Sequence, residues 1–256
     1  MMTHIKRYFS DTAVMSGRVL RHTFRSMDTL ISVIIMPVLI MLMFVYVLGG
    51  AMKPGSIDYV NYVVPGIVMF TILSVVAYTA FRINNDISGG MFDRFHSMPV
   101  SKSAVLGGHV VTSVIFSAVS AVVVLIVAFL IGFRPEAGIL GWLGAIGLML
   151  LFSLGLTWVS ATCGLIANSA EGSSAFAYPI LGLLFISSAF APTESMPAVV
   201  RAFAENQPMT PIIEAVRSLL MNEPVRDSGW IAMLWCVGIW IVFYALAMRA
   251  YKRKRA

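Results

Sequence analysis

The residues of this chain best suited to metal binding or nucleophilic chemistry are four histidines, His4, His22, His96 and His109, and two cysteines, Cys163 and Cys236. Neither set has the spacing such chemistry needs. No HExxH pair occurs, and no histidine stands beside a cysteine or a carboxylate pair at metal-ligand spacing, so the histidines are expected at the surface. The cysteines sit alone in separate apolar stretches, which makes neither a CxxC pair nor a disulfide framework. The phosphate-binding pattern GxxxxGK(S/T) is absent, so nucleotide hydrolysis by this chain is not expected. No GxSxG elbow presents a serine nucleophile.

The polarity that remains is mostly neutral. Thr71, Ser74 and Tyr78 recur at i, i+3 and i+7 and form one polar-aromatic helix face. Tyr178, Phe185 and Ser188 are expected to share a face in the same way. Such faces either line a path for a small amphipathic molecule or join helices through hydrogen bonds, each worth about 0.6 kcal/mol. Gly138, Gly141, Gly144 and Gly147 read as close helix packing. Two loops carry more. Residues 82–103 place Met91, Phe92 and Phe95 beside Asp93 and Arg94, between the breakers Gly89-Gly90 and Pro99. Exposed apolar side chains are costly unless covered. A short helix over Met91–Ser97 therefore either plugs a partner's groove or folds onto the protein's own membrane surface. Residues 192–229 hold two helical patterns, each too short to cross a bilayer. The first starts at Ser195 as N-cap, with Pro197 in its first turn, and runs to about Glu205. The second starts at Thr210 as N-cap, with Pro211 next, and runs to about Met221. Asn206, Gln207 and Pro208 make the turn between them. Irregular backbone at membrane depth needs protein or water around it, so this pair is expected to cap the outer leaflet or dip into it.

The elements that position these residues follow from composition. Of 256 residues, 59% are apolar and 12% charged, and mean hydropathy is +0.87. Soluble domains carry about 25% charged residues, so a soluble globule is excluded, as is disorder. The N-terminal 28 residues lack an apolar run, which argues against a cleaved signal. Within them, Arg18–Met27 places Arg18, Arg21, His22 and Arg25 opposite Leu20, Phe24 and Met27, the pattern of an interfacial helix. Six stretches without Asp, Glu, Lys or Arg follow: Leu30–Leu48, Tyr59–Phe81, Ala104–Phe133, Ile139–Asn168, Ser173–Ala191 and Trp230–Met248. At about 1.5 Å per residue, even the shortest reaches about 28 Å, matching a hydrocarbon core of about 30 Å. With the N-terminus inside, the inner segments hold thirteen Lys and Arg and the outer ones five, so both termini are expected in the cytoplasm. The basic excess then faces anionic headgroups rather than nucleic acid. The expected fold is all-α and polytopic. It has six transmembrane helices, an interfacial helix within residues 1–28, a cytoplasmic loop at 82–103, an external re-entrant helical hairpin at 192–229 and a basic tail at 249–256, all in one domain spanning 1–256. The lack of Asp, Glu, Lys and Arg in the spans disfavours a proton antiporter.

The run from Gly89 to Lys102 (GGMFDRFHSMPVSK) resembles the cytoplasmic loop of type-2 ABC exporter permeases, especially the daunorubicin and multidrug-resistance branch. Ala191–Pro197, Asn206–Pro211 and Ala215–Arg217 resemble the external helices of the same family. So do the basic N-terminal segment leading into Pro37 and the Gly49-Gly50 end of the first span. The resemblance runs in order along essentially the whole chain. It implies a permease in a bacterial plasma membrane that pairs with a second copy or a sister permease. A separate ABC ATPase subunit beneath it would hold ATP and Mg, while this chain binds no cofactor and is no enzyme. ATPase coupling falls to Gly90, Met91, Phe92, Asp93, Arg94, Phe95, His96 and Pro99, with the interfacial N-terminal helix as the second ATPase contact. Thr71, Ser74, Tyr78, Tyr178, Phe185 and Ser188 become the substrate path. Pro197, Asn206, Pro208, Thr210, Pro211 and Arg217 become an external lid. His96 and His109 stand where the branch more often has Arg, and Thr112 where an acidic residue is common. The implied activity is outward transport of a drug-like or lipidic amphiphile by alternating access. The alternatives are export of a polysaccharide or lipid-linked glycan, an intramembrane lipid-modifying enzyme, or a passive channel.

Overall fold

The computed structural model of the chain describes Ser16, Gly17 and Thr29, and residues 31–50, 58–90 and 104–253, the side chains of Ala104 and Val105 excepted. Among these residues the fold is helical and has no strand. In chain order the helices are α1 (Ile31–Leu48), α2 (Tyr59–Ser88), α3 (Ala104–Leu130), α4 (Ile139–Ile166), α5 (Ala170–Ser174), α6 (Ala177–Phe185), α7 (Ala198–Asn206), α8 (Met209–Leu220) and α9 (Arg226–Arg253). A 3₁₀ turn at Thr193–Ser195 precedes α7. Five of them, α1, α2, α3, α4 and α9, are long and apolar enough to cross a membrane. The expected interfacial helix at Arg18–Met27 lies outside the described residues.

The fifth expected span, Ser173–Ala191, is not one helix. Helix α5 ends at Ser174, α6 begins at Ala177, and the chain turns again after Phe185. Pro179 accounts for the first break. It has no N–H to offer the Ala175 carbonyl, and its ring is tolerated only in a first helical turn. The Tyr178 amide bonds the Ala175 carbonyl instead, three residues back, at 3.2 Å. Ser187 accounts for the second break. Its hydroxyl donates to the Leu184 carbonyl at 2.6 Å and accepts from the Ala189 amide at 3.1 Å, a local alternative to helical bonding. Helix α6 alone is about 13 Å long.

Helix α2 is the axis of the molecule. Of its most apolar stretch 78% is buried, against 17–33% in the other four long helices. It packs on α1, α3, α4, α5, α6 and α8, while α9 lies outside against α4 and α8. Glycines set the close approaches. A Cβ on Gly66 of α2 would meet the Ala189 carbonyl at 2.9 Å, and one on Gly164 of α4 the Ala80 carbonyl at 2.9 Å. The expected glycine stripe of α4 divides. Gly141 and Gly144 admit Leu219 of α8, whereas Gly138 and Gly147 touch nothing within 4 Å.

The two ends of the bundle differ. At one end α3 stops at Gly132, whose φ of +108° suits glycine. There the Phe133 amide reaches the Ala128 carbonyl at 2.9 Å, and Arg134 donates to the Phe129 and Phe133 carbonyls. At the other end the C-terminal part of α2, the start of α3 and the last turns of α4 and α9 share an apolar cluster that includes Ile83, Leu106, Leu165 and Tyr251. Ser16 joins this end, donating to the Gly108 carbonyl at 3.4 Å.

Candidate functional site

The end that gathers the last turns of α4 and α9 carries the stem of the loop at 91–103. Helix α2 runs past the expected span end at Phe81 to Ser88 and stops at the Gly89-Gly90 breaker. The Gly89 amide bonds the Asn85 carbonyl, and Gly90 takes φ +66°, the left-handed conformation that closes helices. The loop leaves from there and returns into α3. Met91, Phe92, Asp93, Arg94, Phe95, His96 and Pro99 lie outside the described residues. The stem is fastened below them. His109 of α3 is 3% exposed and its Nε2 lies 3.1 Å from Oδ2 of Asp86 on α2. The surface position expected for this histidine is therefore corrected: the first turns of α3 are packed against α2, so an early histidine points into the joint. Further along the joint, Thr79 donates to Ser113 at 3.0 Å, and Thr157 of α4 reaches the same Ser113 oxygen at 3.2 Å. Asn84 donates to the Gly164 and Ala167 carbonyls at the end of α4. A helix C-terminus leaves such carbonyls without an intrahelical partner, and here a buried amide satisfies two of them.

At mid-depth, the Thr71–Ser74–Tyr78 face divides. Thr71 is fully buried and donates to its own Ile67 carbonyl at 2.8 Å. Ser74 and Tyr78 belong to a half-buried strip with Phe70, Ala77 and Phe81, the side of α2 that its neighbours leave open. Tyr178 and Phe185 of α6 are exposed. Ser188 does not share their face. It lies beyond the end of α6, in the turn that Ser187 organises, and is buried.

The opposite end holds α7 and α8. Pro197 caps α7, which starts at Ala198, and Ser195 belongs to the preceding turn, its hydroxyl donating to the Pro192 carbonyl. Helix α8 starts at Met209, with Pro208 before it and Pro211 in its first turn. Thr210 is not its cap. The Gln207 side chain replaces it, accepting from the Met209 amide at 2.9 Å while donating to Thr210 Oγ1 and to the Leu183 carbonyl of α6. Glutamine is long enough to reach back to the helix start, which hides this role from cap rules built on short side chains. Asn206 ends α7 by donating to the Ala202 carbonyl. Nine of the twelve residues of α8 are buried, so it lies among the long helices, with α7 the more exposed partner.

Arg217 of α8 is the strongest polar anchor at this end. It is 7% exposed, donates from Nε to the Tyr62 carbonyl at 3.2 Å and from Nη2 to the Ser188 carbonyl, and lies 3.7 Å from the Tyr62 ring centroid. One side chain thus ties α8, α2 and the turn after α6 together. Burial pulls its guanidinium below the ordinary value, against the opposing pull of Tyr62 and Glu214. Burial likewise pushes the Glu214 carboxyl up, although Arg217 and the Ser188 hydroxyl favour its charged form. Asp86, Asn84, Tyr62, Gln207 and Glu214 are site residues that the spacing rules pass over. Their signal is a polar side chain in, or next to, an otherwise apolar helix.

Residues 11–221 match the family model described as ABC-2 type transporter. The chain is 32% identical over 231 residues to a daunorubicin resistance ABC transporter permease protein of Streptomyces coeruleorubidus, covering 89% of this chain and 81% of that protein. It is 24% identical over 253 residues to a probable doxorubicin resistance ABC transporter permease protein of Mycobacterium tuberculosis, covering 96% of this chain and 90% of the relative.

Proposed function

This chain belongs to the ABC-2 type transporter family, and on that premise we propose that it is the transmembrane permease subunit of an ATP-driven exporter. Its substrate in this reading is a drug-like or lipidic amphiphile, and the names of its relatives speak for the drug-like kind. ATP and Mg are held by a separate ABC ATPase subunit, and a second permease, a copy or a sister chain, completes the membrane part. The broken fifth segment counts as a sixth span, and α7 and α8 form the external lid. Both termini are cytoplasmic. Ser74 and Tyr78 on the open strip of α2, with the outward-facing Tyr178 and Phe185 of α6, line the path at the seam between the two permeases.

The observation that carries this reading is the fastened stem. Asp86 and His109 tie the two arms of the 91–103 loop together 3.1 Å apart, and one arm is the most buried helix of the molecule. A push on a helix at Met91–Ser97 therefore reaches the core directly. ATPase closure transmits that push, and the permease exchanges inward- and outward-open states.

The test is the double variant Phe92→Ala, Phe95→Ala. The two rings are three residues apart and face one way on a helix, and a buried Phe contributes roughly 1.5–3 kcal/mol. We expect at least about a tenfold loss of copurified ATPase, with substrate-stimulated hydrolysis abolished at unchanged membrane levels. Unchanged docking and stimulation would sink the coupling assignment.

A further inference from the structure

The last turns of α4 and α9 enclose an open groove of about 570 Å³, within the size range of small-molecule sites. Ile166 of α4 and Leu246 of α9 make its exposed apolar wall, and Arg249 and Arg253 line it beside them. The two arginines are four residues apart, on one helix face, and both are exposed. Neither has an ion pair or hydrogen bond with another described residue, and no acidic side chain lines the groove. Ile166 is 63% exposed, an apolar surface left open in the same groove as two positive charges. This order is that of a phospholipid seen end on: an anionic head outside, an acyl chain one turn deeper.

We propose that this groove is a binding site for an anionic phospholipid. Arg249 and Arg253 hold the headgroup phosphate, the fork of a guanidinium matching its oxygens, and an acyl chain lies along Ile166 and Leu246. An acidic protein surface would meet the arginines but leave that wall uncovered. The site rests on the packing of α4 against α9 alone, independently of what the protein transports.

The experiment uses the full-length chain, extracted from vesicles of phosphatidylcholine mixed with phosphatidylglycerol, with retained lipid counted by native mass spectrometry. The wild type retains phosphatidylglycerol over phosphatidylcholine. The double variant Arg249→Gln, Arg253→Gln loses that preference by about thirtyfold, the conversion of ~1 kcal/mol for each basic residue. Lys252→Gln, a neighbouring cation outside the groove, stays within about twofold of the wild type. Leu246→Trp keeps both arginines but fills the wall, and it also lowers retention. Four results would overturn the proposal. The first is unchanged preference in the arginine variant. The second is undiminished binding in Leu246→Trp, which would mean surface charge alone attracts the lipid. The third is displacement by soluble glycerol phosphate as readily as by lipid. The fourth is loss of copurified ATPase with lipid retention unchanged, which would make the arginines a protein contact.

Discussion

Arg217 shows how one side chain decides a local fold. Taking a guanidinium out of water is costly, and the cost is met only if its donors find acceptors. Here the acceptors are main-chain carbonyls of Tyr62 and Ser188, two buried residues. Hydrogen bonds to a charged group contribute about 1.5–3 kcal/mol each. Arg217→Met, which keeps the length and loses the donors, is expected to destabilise the folded chain by about 2–4 kcal/mol, read as a lower thermal midpoint in detergent. Glu214→Gln is expected to have the opposite sign. Burial raises its folded pKa, so the ionised form opposes folding, and stability declines as pH rises through and above the ordinary carboxylate range. The amide abolishes that decline. Little of this was legible in the sequence. A single Arg in an amphipathic external helix reads as a solvated charge, because its acceptors lie on segments far away in the chain. His109 and Asp86 escaped for the same reason: each is unremarkable locally, and their pairing exists only once α2 and α3 are side by side.

At the scale of elements, hydropathy marks α1, α2, α3, α4 and α9 because each must bury or expose to lipid about 18 or more apolar residues, and no fold changes that requirement. It does not mark the break between α5 and α6. Averaging over a window hides Pro179 and Ser187, whose effect is on hydrogen bonding and not on polarity. Helix contacts set by glycine are likewise invisible until the neighbours are known, as the split stripe of α4 demonstrates. This yields a paired prediction. Gly164→Ala places a methyl 2.9 Å from the Ala80 carbonyl and 2.9 Å from Ile83 Cβ. Main chain cannot swing aside, so overpacking of about 1–3 kcal/mol outweighs the ~1 kcal/mol gain in helix propensity. Gly147→Ala meets nothing within 4 Å and is not expected to lower stability. Thermal midpoints of the two variants, measured in the same detergent, check the contrast; equal midpoints would mean that α4 and α2 are less closely packed than the structure has them.

For the whole molecule, packing places Ser16, the loop stem and the last turn of α9 at one end, and Arg134 with the α7–α8 pair at the other. The thirteen-to-five division of basic residues supports our proposal that the first end is cytoplasmic. A cysteine at Glu205, which is exposed, is then expected to react with a membrane-impermeant thiol reagent in intact cells, and one at Lys252 only after permeabilisation. Labelling of the Lys252 position from outside would invert the molecule. The central helix gives this arrangement a mechanical meaning. Tyr62, near its N-terminal end, sits under the Arg217 guanidinium, and Asp86, near its C-terminal end, holds His109. About 36 Å of continuous helix separates the two fastenings, and Pro65, which has no N–H to offer the Asn61 carbonyl, lies near its N-terminal end. Such a shaft has almost no slack. On the proposed mechanism, a shift imposed at one membrane face reaches the other through this single element, without a chain of separate contacts passing it from neighbour to neighbour.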